Sequence, residues 1–499
     1  MWLEENKVVL AKEMSRVEGL SIEAGFSGEA YMCKAGENLA THVEAFIHHH
    51  RLKKEVTLLV GKGNNGGDAF AAGVLLLNRS YIVRAHSVAL SCETTPLCQK
   101  QEKLFVKSGG KVYRDKVEPF KGVILDGLLG TGCRGILGEE FVKMIQRAND
   151  SGLPILSIDI PSGVDGNIGK IDPIAISATE TLFLGLPKLG CFLKEGYDSI
   201  GKLCAIDFGM DSFFLQRAEA SAYLVDERSL MPFLPPMKRT RHKYEAGYVI
   251  AVAGSSGMPG AAMLSSLAAL RTGAGIVRLF HPRGMEQELL SSPYELIRTS
   301  YTARDTSKMF QELKRANALL IGPGLGRSKL VHTFIQRVIE GLDFPCVIDA
   351  DGLFLVKTFP KGSILTPHYQ EMCRLLNDDL TQELCQKFAN QHSVTIVLKG
   401  APTWIYHPHV SPFIVTAGDP GMATAGTGDV LTGMIAALMA QRVGKLEAAM
   451  LGVYLHALSG EIAAKRRTSY GMIASDLIEA IPDAFQYFLG KSAHDIKEK

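Results

Sequence analysis

No run in this chain approaches the ~18 apolar residues needed to cross a bilayer. Its first residues, Met1 to Met14, are charged and helix-like, with no apolar signal core. A cytoplasmic protein without membrane attachment is therefore expected. An excess of charge is missing too: a formal net charge of +2 over 499 residues leaves no electrostatic footprint for nucleic acid or anionic lipid. The nine cysteines form no Cys-x-x-Cys pair at metal or redox spacing, so free thiols are expected. Neither a periodic repeat nor a low-complexity tract occurs. The histidine run His48-His49-His50 follows the helical pattern of Leu39 to Ile47 and precedes the basic Arg51 to Lys54, which reads as a solvated helix end in preference to a metal site. What is present is 46% hydrophobic and 21% charged residues, an ordinary globular composition. The length suits about three domains or two large ones. Small-molecule partners are expected, with neither nucleic acid nor membrane among them, and a homo-oligomer is expected.

The segment Asp419-Pro-Gly-Met-Ala-Thr-Ala-Gly-Thr-Gly-Asp429 carries the most chemistry. Gly426 and Gly428 permit backbone conformations in which successive N–H groups face one anion. The apolar run Val430 to Leu438 continues as a helix, whose N-terminal partial charge adds to an anion site. A carboxylate at that mouth, Asp429, suits a general base that takes a proton from a hydroxyl. A glycine turn with Asp429 as a plain N-cap is the competing reading.

Upstream, Val56 to Val60 reads as a strand, Gly61-Lys-Gly-Asn-Asn-Gly-Gly-Asp68 as a glycine loop and Ala69 to Leu77 as a helix. Apolar runs recur at Gly122 to Asp126 and Pro154 to Ile160, which implies an α/β doubly wound parallel sheet. Ligands collect at the carboxyl ends of such strands, where Asn64 to Asp68, Asp126 to Gly135 and Asp159 to Asp165 fall. Periodicity lapses between Asp211 and Arg241, among Pro232, Pro235 and Pro236, and a second α/β series follows. Its strands are Gly247 to Ala253, Ala318 to Ile321, Cys346 to Asp349, Ser363 to Thr366 and Val394 to Leu398. Domains of 1–216 and 217–499 are expected.

The strings themselves are more specific. Gly61-Lys-Gly-Asn-Asn-Gly-Gly-Asp68, Asp126-Gly-Leu-Leu-Gly-Thr-Gly132 with Arg134-Gly135, and Asp159-Ile-Pro-Ser-Gly-Val-Asp165 resemble the NAD(P)H-hydrate epimerase (YjeF N-terminal) family. His242-Lys-Tyr, Gly322-Pro-Gly-Leu-Gly326, Asp349-Ala-Asp-Gly-Leu353, Leu365-Thr-Pro-His368, Lys399-Gly-Ala-Pro-Thr403 and Gly421 to Asp429 resemble the ADP-dependent NAD(P)H-hydrate dehydratases. The resemblance covers nearly the whole chain and implies a Rossmann-like first domain and a ribokinase-like second. The segment Met32-Cys-Lys-Ala-Gly36 stands where that family usually has Met-Glu-Asn-Ala-Gly, Ala69 where glycine is common, and Pro367-His-Tyr-Gln-Glu371 lacks the usual Pro-Gly after histidine.

The resemblance further implies repair of a nicotinamide cofactor whose ring has added water, giving R and S epimers. One domain interconverts the epimers and the other dehydrates the S form at the expense of ADP, with AMP and phosphate as products. Asn64, Asn65, Gly66, Gly67 and Asp68, with Gly130, Thr131, Gly132, Cys133, Arg134, Gly135 and Ile136, would cradle the hydrate in the first domain. Asn65, Asp126 and Ser162 would surround K+, and Asp159 is the candidate acid/base. For Asp165, capping of the turn after Gly163 is at least as good a reading. In the second domain Ala262, Gly324, His368 and Asp429 would face the hydrate. Lys399, Gly400, Ala401, Pro402 and Thr403 would bind the nucleotide, Gly426, Thr427 and Gly428 the transferring phosphoryl group, with Mg2+. For His368 a turn-capping role competes. Two alternatives remain: an ATP-dependent small-molecule kinase of the ribokinase-like group, and a first domain that binds without catalysing.

Overall fold

The computed structural model describes residues 6–114, 118–132, 135–302, 306–340, 342 and 344–495. Cys133 and Arg134, expected to touch the hydrate, lie outside them. Two compact units divide the chain between Ala222 and Tyr223, against an expected 216/217.

After a two-residue strand β1 (Lys7–Val8), the first unit runs through β2 (Glu55–Val60), β3 (Ile82–Ser87), β4 (Lys111–Tyr113), β5 (Val123–Gly127), β6 (Ile155–Ile158), β7 (Glu180–Leu184) and β8 (Lys202–Ile206). They pair, all parallel, in the order β4-β3-β2-β5-β6-β7-β8. Parallel neighbours need helical crossovers, so both faces of the sheet are covered and its strands are apolar on both sides. The strand period of two divides β2 accordingly. Val56, Leu58 and Val60 join a core with Val43 and Phe46 of the helix Gly28–His49, while Leu59 joins one with Phe141 and Ile145 of the helix Glu139–Asp150. Each fully buried residue of this kind contributes about 1.5–3 kcal/mol. His48, His49 and His50 are exposed at a helix end.

Asn64 to Asp68 are not loop but the first turn of the helix Asn64–Asn78, whose N-cap is Gly63. Two glycines and two asparagines oppose a helix by propensity, yet close packing requires them. A Cβ on Gly66 would lie 2.6 Å from the Gly61 carbonyl oxygen, and one on Gly67 would lie 2.6 Å from Met32 Cε. In the departing segment, Cys33 is exposed and Lys34 pairs with Glu37 at 3.0 Å on the helix surface. Met32 and Gly36, which match the family, face inward.

The second unit holds all but the first residue of β9 (Ala222–Leu224), then β10 (Tyr248–Val252), β11 (Ile276–Pro282), β12 (Ile297–Tyr301), β13 (Ala318–Ile321), β14 (Cys346–Ile348), β15 (Ile364–Leu365), β16 (Thr395–Leu398), β17 (Thr403–His407) and β18 (Val410–Val415). They are ordered β9-β18-β17-β16-β15-β14-β13-β10-β11-β12. Only β17 runs antiparallel to its neighbours β16 and β18. The helix Thr427–Ala440 is buried at every position from Val430 to Ala440. A helix apolar all round must be enclosed, and it packs on the helix Pro259–Arg271. Gly433 is what lets it approach, since a Cβ there would stand 2.1 Å from the Ser265 carbonyl oxygen. This enclosure fixes the helix, and with it the loop and Asp429 at its N-terminus. No helix among the described residues is long and apolar enough to cross a membrane.

Candidate functional site

In the first unit the strand order reverses between β2 and β5, the point where open α/β sheets leave a crevice. The loops after these two strands touch backbone to backbone. A Cβ on Gly61 would overlap the Leu128 carbonyl, and one on Gly127 would lie 2.7 Å from the Asn65 carbonyl oxygen. Asn65 Nδ2 donates to the carbonyls of Leu129 at 2.9 Å and Ile158 at 3.2 Å, which leaves its amide oxygen free of these contacts. Asp126 is fully buried. Its carboxylate accepts from Ser162 Oγ at 2.6 Å, Ser157 Oγ at 2.9 Å, Ser162 N at 3.0 Å and Leu128 N at 3.2 Å. Burial pushes its carboxyl up, and these hydrogen bonds pull it back. Asp126 and Ser162 are thus brought together, and both contact the loop that also receives Asn65. The three supply hard oxygen donors of the kind that suits an alkali cation better than a transition metal.

Asp159 follows β6 in a left-handed conformation at φ 65°. Strain of that kind in a non-glycine residue persists only where surroundings enforce it, and it clusters at functional sites. The enforcing contacts are an ion pair from Lys188 and a 3.2 Å bond from Leu184 N, both to Oδ1. Lys188 is 1% exposed, and nothing local in the sequence marked it. Asp68 sits buried in the first turn of its helix, where burial, Asp159 and Glu18 push its carboxyl well above the usual range. Gly130, Thr131 and Gly132 continue the loop after β5. Gly135 and Ile136 border an open cavity of about 220 Å³ together with Gly163 and Asp165. Asp165 caps its own turn, accepting from Asn167 N at 2.8 Å and Ile168 N at 3.1 Å. A separate trio, His42, Glu180 and Cys204, has ligand atoms within 4.8 Å of one another, with His42 Nε2 bonded to Glu180 Oε2 at 2.6 Å.

In the second unit Gly426 is the left-handed N-cap of the helix Thr427–Ala440, at φ 93°. Thr427 Oγ1 donates back to the Met422 and Thr424 carbonyls, both at 3.0 Å, and the buried His456 holds the Thr427 carbonyl at 2.9 Å. Burial lowers His456 to about 4, so it is neutral and its Nε2 donates. Lys399, at the end of β16, reaches Asp349 Oδ1 at 2.7 Å, and Thr432 Oγ1 donates to Asp349 Oδ2, also at 2.7 Å. A Cβ on Gly428 would come within 3.3 Å of Lys399 Nζ, which places this ammonium under the loop. Asp429 lies in the helix's first turn. Burial, then Asp349, raise its carboxyl to about 6 against the pull of Lys399. Burial works against the Lys399 ammonium, but Asp349, Glu371 and Asp429 outweigh it and raise its pKa.

His368 does cap a helix. Its Nδ1 accepts from Glu371 N at 3.3 Å and its own N–H donates to Glu371 Oε2 at 2.8 Å. It also bridges Lys399 by parallel strand register, so capping and a place beside the site coexist. Gly324, at φ 62°, leaves room that a Cβ would close against Ala261, 2.9 Å away. Ala262 has no exposed surface, and its neighbour Ala261 is the one that meets Gly324. Gly400 and Ala401 are exposed beyond Lys399, Pro402 is buried, and Thr403 Oγ1 donates to the Gly400 carbonyl at 3.0 Å. Asp349 heads one of the strings that carry the resemblance, with no role assigned to it there, and Thr432, His456, Lys188 and Glu18 carry no sequence signal.

Residues 28–190 match the model of the YjeF-related protein N-terminus, and residues 249–483 that of NAD(P)H-hydrate dehydratase. A bifunctional NAD(P)H-hydrate repair enzyme of Moorella thermoacetica is 31% identical over 95% of this chain and 96% of its own. One from Escherichia coli is 31% identical over 85% of this chain and 84% of its own. Among solved structures, a ribokinase-like superfamily protein of Enterococcus faecalis matches at TM-score 0.50 and 27% identity, covering 54% of this chain and 96% of its own.

Proposed function

This chain belongs to the bifunctional NAD(P)H-hydrate repair enzymes, and we propose that the two sites described divide the repair between them. The protein is an epimerase and dehydratase of NAD(P)H hydrates. In our reading the crevice at the β2/β5 switch point epimerises the hydrate, with Asp159 as its acid/base, and the loop Gly426 to Asp429 dehydrates the S form using ADP.

One observation carries the second assignment: a half-buried carboxylate with a pKa of about 6 lies in the first helical turn, three residues after the left-handed glycine that caps it. The backbone N–H groups of Gly426 to Gly428 and the Lys399 ammonium would hold the β-phosphoryl group of ADP, where positioning and charge are most of what phosphoryl transfer requires. Asp429 takes the proton of the hydrate's hydroxyl as its oxygen bonds to phosphorus and AMP departs. Phosphate then leaves with the C–O electron pair, the ring nitrogen's lone pair moves into the ring, and loss of the neighbouring carbon's proton restores NAD(P)H. Mg2+ would accompany the nucleotide's phosphates and offset their charge, since Asp349 is already committed to Lys399 and Thr432. In the first unit Asn65, Asp126 and Ser162 would hold K+, which would offset the hydrate's pyrophosphate charge.

The test is hydrated NADH as an R and S mixture, given protein, Mg2+ and either ADP or ATP. Reduced-nicotinamide absorbance should return with both epimers consumed, AMP and phosphate accumulating in the ADP arm. A phosphorylated hydrate that persists would favour a kinase. R hydrate left over under conditions of slow spontaneous epimerisation would make the first unit a binding module.

A further inference from the structure

Asp159 and Glu18 both act on Asp68, and the ammonium beside them, Lys188, pairs with Asp159 and pulls on Glu18. Three carboxylates that repel one another beside one buried ammonium would leave uncompensated negative charge in low dielectric, so at least one must keep its proton. Hydrogen bonding decides which. Asp159 accepts from Lys188 Nζ and from Leu184 N, donors that favour its charged form. Asp68 is 8% exposed, and its carboxyl shows no hydrogen bond among the described residues. Lys188 is anchored in turn by its 2.9 Å bond to the Leu184 carbonyl, so ammonium, Asp159 and the start of the following loop form one rigid unit. Burial agrees with this division, raising Asp68 and also Glu18. Two neighbouring carboxyls, one held by hydrogen-bond donors and the other without them, divide as an acid and base pair.

We propose that Lys188 is the positioning residue of epimerisation, which fixes Asp159 as a carboxylate and leaves Asp68 as the acid that faces the hydrate. The Asp68 proton passes to the hydrate's hydroxyl as the C–O bond breaks. The ring nitrogen's lone pair forms the C=N bond, and water departs. Water adding to the opposite face makes the new C–O bond, the C=N pair returns to nitrogen, and the proton released goes to Asp159. Its return to Asp68 through solvent closes the cycle, and no redox partner is needed. This rests on the reading of the first unit as the epimerase site.

The experiment uses the full chain without nucleotide, so that dehydration does not compete. Isolated R hydrate is followed chromatographically toward the R and S mixture. Asp68→Asn should lower kcat about 100-fold or more with KM changed less than about threefold. Lys188→Met should lower kcat similarly, and Lys188→Arg, which restores the cation, should recover most of it. Melting of each variant's first unit identifies one that fails to fold, in which case Asp68→Asn and Lys188→Arg decide. Asp68→Asn at near-normal kcat overturns the acid assignment. Folded Lys188→Arg and Lys188→Met with equal losses overturn the positioning role. If the unmodified protein does not interconvert the epimers, the epimerase reading itself fails, which is distinct from either result.

Discussion

Lys399 and Asp349, 50 residues apart in the chain, meet at 2.7 Å beneath the loop that carries Asp429. Asp349 is nearly fully buried, so removing its partner leaves a carboxylate unpaired in low dielectric. Lys399→Met should therefore cost about 3–5 kcal/mol of stability in the second unit. Pairing it with Asp349→Asn should restore most of that stability, because no charge is then stranded. Dehydration should stay lost in the double variant, since the cation under the phosphoryl site is gone. Denaturant melts beside dehydratase assays separate the two effects. Recovered activity in the double variant would remove Lys399 from the chemistry.

Asp429 must be ionised to accept a proton. With its pKa raised to about 6, kcat for dehydration should fall roughly tenfold per pH unit below that value and level off above it. Asp429→Asn should lower kcat about 100-fold to 10,000-fold with hydrate and nucleotide still bound. A flat rate from pH 5 to 8 in the unmodified protein would assign the base elsewhere.

What could be read from the sequence was whatever is local. Gly61 to Asp68, Asp126 and Gly426 to Asp429 stand where strands end or a helix begins, and their residue types state the backbone requirement directly. The sheets followed from apolar runs for the same reason. Lys188 was not legible because its partner Asp159 lies 29 residues away with β7 between them, and a lone lysine among Gly, Leu and Pro carries no pattern. Thr432 was hidden inside an apolar helix, where a hydroxyl reads as filler until Asp349 is placed 2.7 Å from it. Asn64 to Asp68 read as loop from sequence because helix propensity opposes a first turn there, whereas close packing on Gly61 and Met32 decides it.

The strand β9 adds itself in parallel to β18, with Tyr223 opposite Phe413 and Leu224 opposite Ile414. A fragment beginning at Ala220 keeps this strand and should fold and dehydrate S hydrate without the first unit. One beginning at Asp226 uncovers the β18 edge and should melt lower and aggregate more readily. An insoluble Ala220 fragment beside an active full chain would show that the second unit does not fold alone.

Gly426 takes φ 93°, and a Cβ there would stand 2.6 Å from Leu264 Cδ1 and 3.1 Å from Ala474 Cβ. Gly426→Ala should cost about 1–3 kcal/mol from the backbone conformation alone. It should also turn the loop's N–H groups off their common focus, so nucleotide affinity should fall along with kcat. The expected signature is a raised KM for ADP, with little change in how tightly hydrate binds, read by calorimetry. Unchanged ADP affinity would place the phosphates away from this turn.

Asp429 works against its own fold at neutral pH. In the unfolded chain its carboxyl titrates near 3.8, and in the folded protein, pushed by burial and Asp349, at about 6. Between these values the folded state holds a proton that the unfolded state has released, so stability declines as pH rises from about 4 to about 6 and stays reduced above. Two pKa units correspond to roughly 3 kcal/mol, or ~2 kcal/mol once partial exposure is allowed for. Asp429→Asn keeps the shape and cannot ionise, which relieves the penalty only where the carboxylate would be charged. The second unit of this variant should melt about 4–8 °C above the unmodified protein at pH 8, with the gain gone at pH 4. The same substitution should also lower dehydration, in which case a base poised near neutrality is held at the expense of stability. Calorimetry at the two pH values reads the difference, and equal melting at pH 8 would show that the carboxylate is solvated well enough to be no burden.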